Sequence, residues 1–262
     1  MPVDLSAMLK NRRWVAASYP FPYVYAADVF QSSVYRSLEA SFQSILDLGL
    51  SQTPAKGKFS RMFGKYDAYG AKLPAASDDP FRIFVSREWH DLLAGLFNVK
   101  TTGDVNAELH HHAVDSSRGR IHSDFNPGWF VGHAETGSVN LSDNEICSYK
   151  FGKLRAGEQK PPVQRVRAVA MLYYLANPKW RPRHGGETGL YEFEDSAVTA
   201  PAVAIPPLNN HLVAFEVTPY SFHAFLKNKR SPRNAVVLWL HRAYEDAVAQ
   251  WGECSIVKWS GK

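Results

Sequence analysis

The chain of 262 residues is 45% hydrophobic and 13% aromatic, with a formal charge of +5 and two cysteines, Cys147 and Cys254. This composition excludes disordered and fibrous classes, and the length suits one largely β domain with a substantial core. Two distant cysteines exclude a disulfide framework, and a modest positive balance with no run of five Lys or Arg speaks against nucleic acid and weakly for a carboxylate-bearing small molecule.

No stretch approaches about eighteen successive apolar residues, and the segment after Met1 lacks the apolar centre of a signal peptide. The expectation is a cytoplasmic protein with no membrane or nucleic-acid partner. In chain order, Tyr19-Pro20-Phe21-Pro22-Tyr23-Val24-Tyr25 reads as an extended lead into a strand. Val34, Leu38, Phe42, Ile45 and Leu46 share one helical face from about Ser32 to Leu48, with Ser32 or Ser33 as cap and Gly49 as stop. Residues 51–80, rich in Gly, Pro and Lys, read as an irregular loop region. A second helix starts at the cap Ser86 and shows Trp89, Leu92, Leu93, Leu96 and Phe97 on one face.

After Gly103 the period changes to two. Val105, Ala107, Leu109 and His111 alternate with Asn106, Glu108, His110 and His112. A turn at Asp115–Gly119 leads to Ile121-His122-Ser123-Asp124, and residues 126–162 form an insertion rich in Gly, Asn and Ser. Residues 163–175 make a strong strand, followed by short strands near 190–193, 202–207, 211–217, 221–226 and 234–241, and a closing helix near 243–251. Many short strands behind two amphipathic helices indicate a mainly β fold, a sandwich or jelly roll with the helices packed on one sheet. No internal repeat or linker divides the chain.

His122 and Asp124 stand two apart, so on a strand or its end they point to the same side. An imidazole and a carboxylate then converge from one piece of backbone, and His223, in the late segment 215–223, offers a third ligand. Two imidazoles and one carboxylate suit Fe(II) and leave coordination positions open for co-substrates. His111 points away from His110 and His112 on a strand. Alternating Arg165 and Arg167 read as a solvated face, and His241 and His211 as ordinary polar residues. Trp129 and Phe130 suit either a lid or packing of the insertion, and Asn126 a hydrogen bond near Asp124.

The ordered set His122-Ser123-Asp124, Leu172-Tyr173-Tyr174-Leu175, Gly185-Gly186-Glu187, His223 and Arg233 resembles the 2-oxoglutarate/Fe(II)-dependent oxygenases, in particular their prolyl-hydroxylase-like branch, over about residues 105–241. The resemblance implies a double-stranded β-helix (jelly-roll, cupin-like) core. It implies one domain over 1–262, with a helical support region 1–104, a core 105–241 carrying the insertion 126–162, and a C-terminal helix and tail 242–262. It implies His122, Asp124 and His223 as iron ligands and Arg233 as the partner of the distal carboxylate of 2-oxoglutarate. Tyr174 adds a hydrogen bond there, and His112 stands near the other carboxylate. Fe(II), 2-oxoglutarate and O₂ are the implied cofactors. The implied reaction hydroxylates a substrate C–H while 2-oxoglutarate becomes succinate and CO₂; relatives that halogenate carry Gly or Ala where Asp124 stands. Three readings remain open: a small-molecule hydroxylase acting on an amino acid or biosynthetic intermediate, a hydroxylase of prolyl-type protein residues, and a non-catalytic jelly-roll binding protein.

Overall fold

A computed structural model describes residues 2–63, 66–74, 78–155, 157 and 160–259. Its helices are α1 (Leu5–Met8), α2 (Ser32–Leu46), α3 (Arg87–Phe97) and α4 (Tyr244–Trp251). Its strands are β1 (Val15–Ala17), β2 (Tyr23–Ala26), β3 (Leu50–Ser51), β4 (Phe59–Phe63), β5 (Tyr66–Lys72), β6 (Asp104–His112), β7 (Pro127–Val131), β8 (Asn140–Leu141), β9 (Pro162–Tyr174), β10 (Thr188–Tyr191), β11 (Val203–Ile205), β12 (His211–Glu216), β13 (Phe222–Phe225) and β14 (Arg233–Ala243). The main sheet runs β1-β2-β12-β9-β14-β6-β5-β4-β3, with β7 added beside β9 and β8 beside β6. The smaller sheet runs β11-β10-β13. The result is the expected jelly roll with helices on one side.

β9 and β14 lie at the centre and are buried on both faces, which is why their apolar runs are nearly continuous. One face, with Val169, Met171, Tyr173, Val236 and Leu238, packs on Leu38 and Phe42 of α2 and on Trp89 and Leu93 of α3. The other, with Ala170, Leu172, Val213, Phe215 and Val237, fills the inside of the roll. Asn98, in left-handed conformation, ends α3, and the Ser86 side chain accepts from Trp89 N–H as expected. α2 begins after Gln31 without a side-chain cap, so neither Ser32 nor Ser33 plays the expected part.

The larger departure is residues 51–80. The structure forms β4 and β5 there, and β5 pairs with β6 in the register Tyr69↔His111 and Gly70↔His110. Phe59, Tyr69, Ala71 and Leu73 are buried. The interspersed Gly and Lys dilute a period-two signal that the β6 edge nevertheless stabilises. Gly64 and Lys65 of that stretch lie outside the described residues. The insertion 126–162 also gains order, since β7 pairs with β9 (Phe130↔Val163) and β8 runs parallel to the start of β6. Among the described residues, no helix is long and apolar enough to cross a membrane.

Candidate active site

One backbone exchange joins the segment before β7 to β13. His122 N–H donates to His223 C=O at 3.1 Å, and His223 N–H donates to His122 C=O at 2.9 Å. This backbone exchange brings the imidazoles to 4.5 Å between ring centroids. Asp124 follows two residues later, and the Ser123 hydroxyl donates to Thr218 C=O at 2.6 Å, clamping the motif to the loop before β13. Asp124 Oδ1 lies 3.6 Å from His122 Nε2, and Oδ2 lies 3.6 Å from His223 Nε2. One ligand atom from each residue falls within 4.8 Å of the others. Ligands each about 2.1 Å from one ion stand roughly 3–4 Å apart, so the spacing suits a single metal.

The tautomers suit it too. His122 Nδ1 stands 3.0 Å from Arg120 C=O, and His223 Nδ1 stands 3.2 Å from Ser221 C=O. A carbonyl only accepts, so both Nδ1 atoms carry the proton and both Nε2 lone pairs face Asp124. Burial, then the neighbouring His122, lowers His223 to about 4, so it is neutral and ready to ligate at ordinary pH.

Asp124 is buried, which alone would raise its carboxyl. The Arg167 guanidinium and then the two imidazoles outweigh burial and hold it well below the usual range. Arg167 Nη1 donates to Oδ1 at 2.8 Å, and Trp239 Nε1 donates to Oδ2 at 2.7 Å. Arg167 Nε donates to the Tyr149 hydroxyl at 3.1 Å. That hydroxyl in turn lies 2.8 Å from His241 Nε2, and His241 Nδ1 lies 3.0 Å from Asp104 C=O. The chain fixes each donor: His241 Nδ1–H to the carbonyl, Tyr149 O–H to His241, Arg167 to Tyr149 and to Asp124. Arg167 and His241 are thus interior residues, against the expectation of a solvated face and an ordinary polar residue. The reason is a register shift after Leu240, which sets Arg167 rather than Ala168 opposite His241 and turns Arg167 to the metal side. Arg165 pairs instead with buried Asp104.

A second cluster lies one step along β13 from His223. There Arg233, 3% exposed, donates from Nη2 to Thr188 Oγ1 at 3.0 Å, and the Tyr174 hydroxyl bonds the same oxygen at 2.7 Å. His112 is Arg233's partner across β6 and β14 and stacks on Phe225 at 4.0 Å. Burial, then the adjacent guanidinium, keeps the His112 imidazole neutral. Arg233 Nε is buried and has no hydrogen-bond partner among the described residues. Gly186, at φ +85°, lies against the Arg233 stem, with 3.5 Å from a built Cβ to Arg233 Cβ. Thr188 pairs with Phe225 two residues from the Leu190↔His223 pair, so the two clusters stand about 7 Å apart along the strands. That is the reach of a short dicarboxylate. Arg233, Tyr174 and His112 therefore meet, joined by Thr188, which the sequence reading passed over. His111 faces the helices between Phe59 and Tyr69, as strand alternation requires. Phe130 packs on Tyr149 and His241. Asn126 N–H donates to Asp124 C=O at 2.6 Å, and its side chain donates to Val257 C=O.

A jelly roll presenting two imidazoles and a carboxylate at one end, with a buried guanidinium deeper in, is the architecture of a non-haem iron oxygenase. The sequence model of the 2OG-Fe(II) oxygenase superfamily matches residues 146–241. That span carries His223 and Arg233 but not His122 or Asp124, which the fold adds. A prolyl-4-hydroxylase of Pseudomonas putida shares the fold at TM-score 0.51 and 15% identity, over 84% of this chain and 92% of that one. A prolyl hydroxylase of Trichoplax adhaerens, solved with a hypoxia inducible factor oxygen degradation domain peptide fragment, aligns at TM-score 0.50 and 14% identity, over 87% of this chain and 86% of that one. No curated protein sequence matches. The chain thus carries a match to the 2OG-Fe(II) oxygenase superfamily over residues 146–241 and shares the fold of these prolyl hydroxylases.

Proposed function

We propose that the protein hydroxylates an unactivated C–H of a small molecule, an amino acid or a biosynthetic intermediate, with His122, Asp124 and His223 holding Fe(II). The observation that carries this reading is the convergence of three ligand atoms within 4.8 Å, with both imidazole tautomers set by backbone carbonyls. The donor set fits iron, and the buried Arg233 Nε, without a partner among the described residues, fits one end of a dicarboxylate. Bound iron, 2-oxoglutarate and O₂ supply the oxidation, with succinate and CO₂ leaving and one oxygen atom entering the substrate. The chain's own residues do the rest. Arg233, Thr188, Tyr174 and His112 hold and orient the co-substrate. Arg167 and Trp239 keep Asp124 ionised and aimed, and the buried aromatic surroundings exclude bulk water.

A second reading is a hydroxylase of prolyl-type residues, favoured by the fold shared with the Trichoplax adhaerens enzyme and its peptide. Against it, the insertion occupies the side of β9 and β14 where Tyr149 covers Arg167 and His241. A binding protein without turnover has no need of two tautomer-set imidazoles beside a carboxylate. Anaerobic protein with Fe(II) is expected to develop a visible charge-transfer band when 2-oxoglutarate is added. Asp124→Ala abolishes iron retention, and Arg233→Ala weakens 2-oxoglutarate binding. Absence of the band in the unmodified protein would remove the oxygenase assignment for these residues.

A further inference from the structure

Strand β6 sends Asn106, Glu108, His110 and His112 to the metal side, while Val105, Leu109 and His111 pack toward the helices. His112 belongs to the co-substrate end through Arg233. His110 and Glu108 continue the row away from it, opposite Ala235 and Val237 of β14, and the His110 ring lies 6.3 Å from Trp239, whose indole reaches Asp124. A carboxylate therefore stands on the same surface as the metal centre, with no part in holding either cofactor.

The buried carboxylates nearby are engaged. Asp124 accepts from Arg167 and Trp239, and Asp104 accepts from Arg165, Thr102 and Asn140. Glu108 differs. Among the described residues its one hydrogen-bond partner is His110, Nε2 to Oε2 at 3.3 Å, and its side chain remains 30% exposed. Burial pushes its carboxyl up, but His110, then Arg167 and Lys150, hold it below the ordinary value, so it is an anion. Gly70 of β5, opposite His110, makes room for the Met62 side chain beside the pair: a Cβ there would come within 3.2 Å of Met62 Cγ and Sδ and 3.7 Å of Glu108 Oε2.

The space around the pair is walled. Ser142 of the insertion donates to Asn106 Oδ1 at 2.6 Å, Asp143 pairs with Lys72 of β5 at 3.1 Å, and Tyr149 reaches Arg167. Trp259 of the tail, anchored by Nε1 to Pro127 C=O at 2.7 Å, lies over Arg167 and beside Lys150. A wall on this side suits a compact molecule rather than an extended chain. A carboxylate steadied by an imidazole recognises a cation that donates hydrogen bonds. In a polypeptide the backbone nitrogen is an uncharged amide, whereas a free amino acid or amine offers an ammonium.

We propose that Glu108, steadied by His110, is the group that recognises substrate in this site and takes a substrate ammonium, so that the substrate is a free amino acid or small amine. This rests on the oxygenase reading of the same site. The test uses the full chain, anaerobic, with Fe(II) and 2-oxoglutarate. The probes are the common free L-amino acids, putrescine, the N-acetylated form of each probe that binds, and an end-capped proline tripeptide. The readouts are a perturbation of the visible band and a shift of the thermal midpoint. At least one free amine is expected to bind, with N-acetylation and Glu108→Gln each weakening it at least about tenfold, the loss of one charge-assisted hydrogen bond. Glu108→Asp retains part of the affinity, and His110→Gln reports on the pair if Glu108→Gln unfolds. The proposal is overturned if no free amine binds, if the capped tripeptide binds better than every free amine, or if Glu108→Gln binds as the unmodified protein does. Failure of the band to form before any probe is added would instead strike the oxygenase reading itself.

Discussion

Both oxygens of Asp124 accept a hydrogen bond, one from Arg167 and one from Trp239, and each also faces one imidazole Nε2 at 3.6 Å. The carboxylate is thus oriented by the protein, and the guanidinium supplies the charge that offsets its burial. Arg167→Leu is expected to lower Fe(II) affinity about 10- to 100-fold, as loss of an outer partner of a metal ligand does, read by titration of the metal. In the cluster proposed to hold the co-substrate, Thr188→Val removes the oxygen that joins Arg233 to Tyr174. It is expected to weaken 2-oxoglutarate binding about five- to tenfold, roughly 1 kcal/mol, read from the concentration dependence of the visible band. At this scale the sequence was legible where spacing carries the information: His-x-Asp two apart, and Arg233 ten residues after His223. It was not legible for Arg167 or Thr188. The first depends on a break in strand register that leaves no local mark. The second is an unremarkable hydroxyl until two partners from other strands meet it.

The element that most alters the site is the insertion 126–162. Its β7 extends the sheet beside the N-terminal part of β9, and its later turn brings Tyr149 under the sheet to complete the hydrogen-bonded path from Asp104 to Asp124. Gly128 is where the two parts of the insertion touch: a Cβ there would run into the Tyr149 ring. Gly128→Ala is expected to displace Tyr149 and cost about 2 kcal/mol, a fall of several degrees in the thermal midpoint, while Gly132→Ala, with nothing near its Cβ, reports the cost of positive φ alone. Thermal unfolding of the two variants in chelator checks this. The β4–β5 hairpin carries the opposite lesson. Its residues look like loop, yet an exposed β6 edge gives their backbone groups partners and their apolar residues a core.

At the scale of the whole molecule, the two larger cores share their central strands. β9, β12 and β14 each serve both the helix side and the inside of the roll, so damage to either core reaches the candidate metal site. Several imidazoles are buried in neutral form, and His241 is lowered to about 3 by burial and then by Arg167. In the unfolded chain it titrates near about 6.5. The folded state then binds fewer protons than the unfolded state below that value, so stability falls as pH drops. From pH 7 to pH 5 the loss from His241 alone is about 2 kcal/mol, measured by urea unfolding of chelated protein, and His241→Gln makes the dependence shallower.

The two long helices and the central strands, the alternation that separates His111 from its neighbours, and the spacing of His122, Asp124, His223 and Arg233 are properties of the sequence by itself, because period and separation are written along one dimension. Tertiary structure decided the rest. It closed the distance between the two halves of the metal set through a pair of backbone hydrogen bonds, and it turned Arg167 inward through a bulge. It also gave Glu108 a place on the face shared with Asp124, with His110 its one hydrogen-bond partner among the described residues. Each of these depends on which strands become neighbours and in what register, and that is set by the packing of residues far apart in the chain.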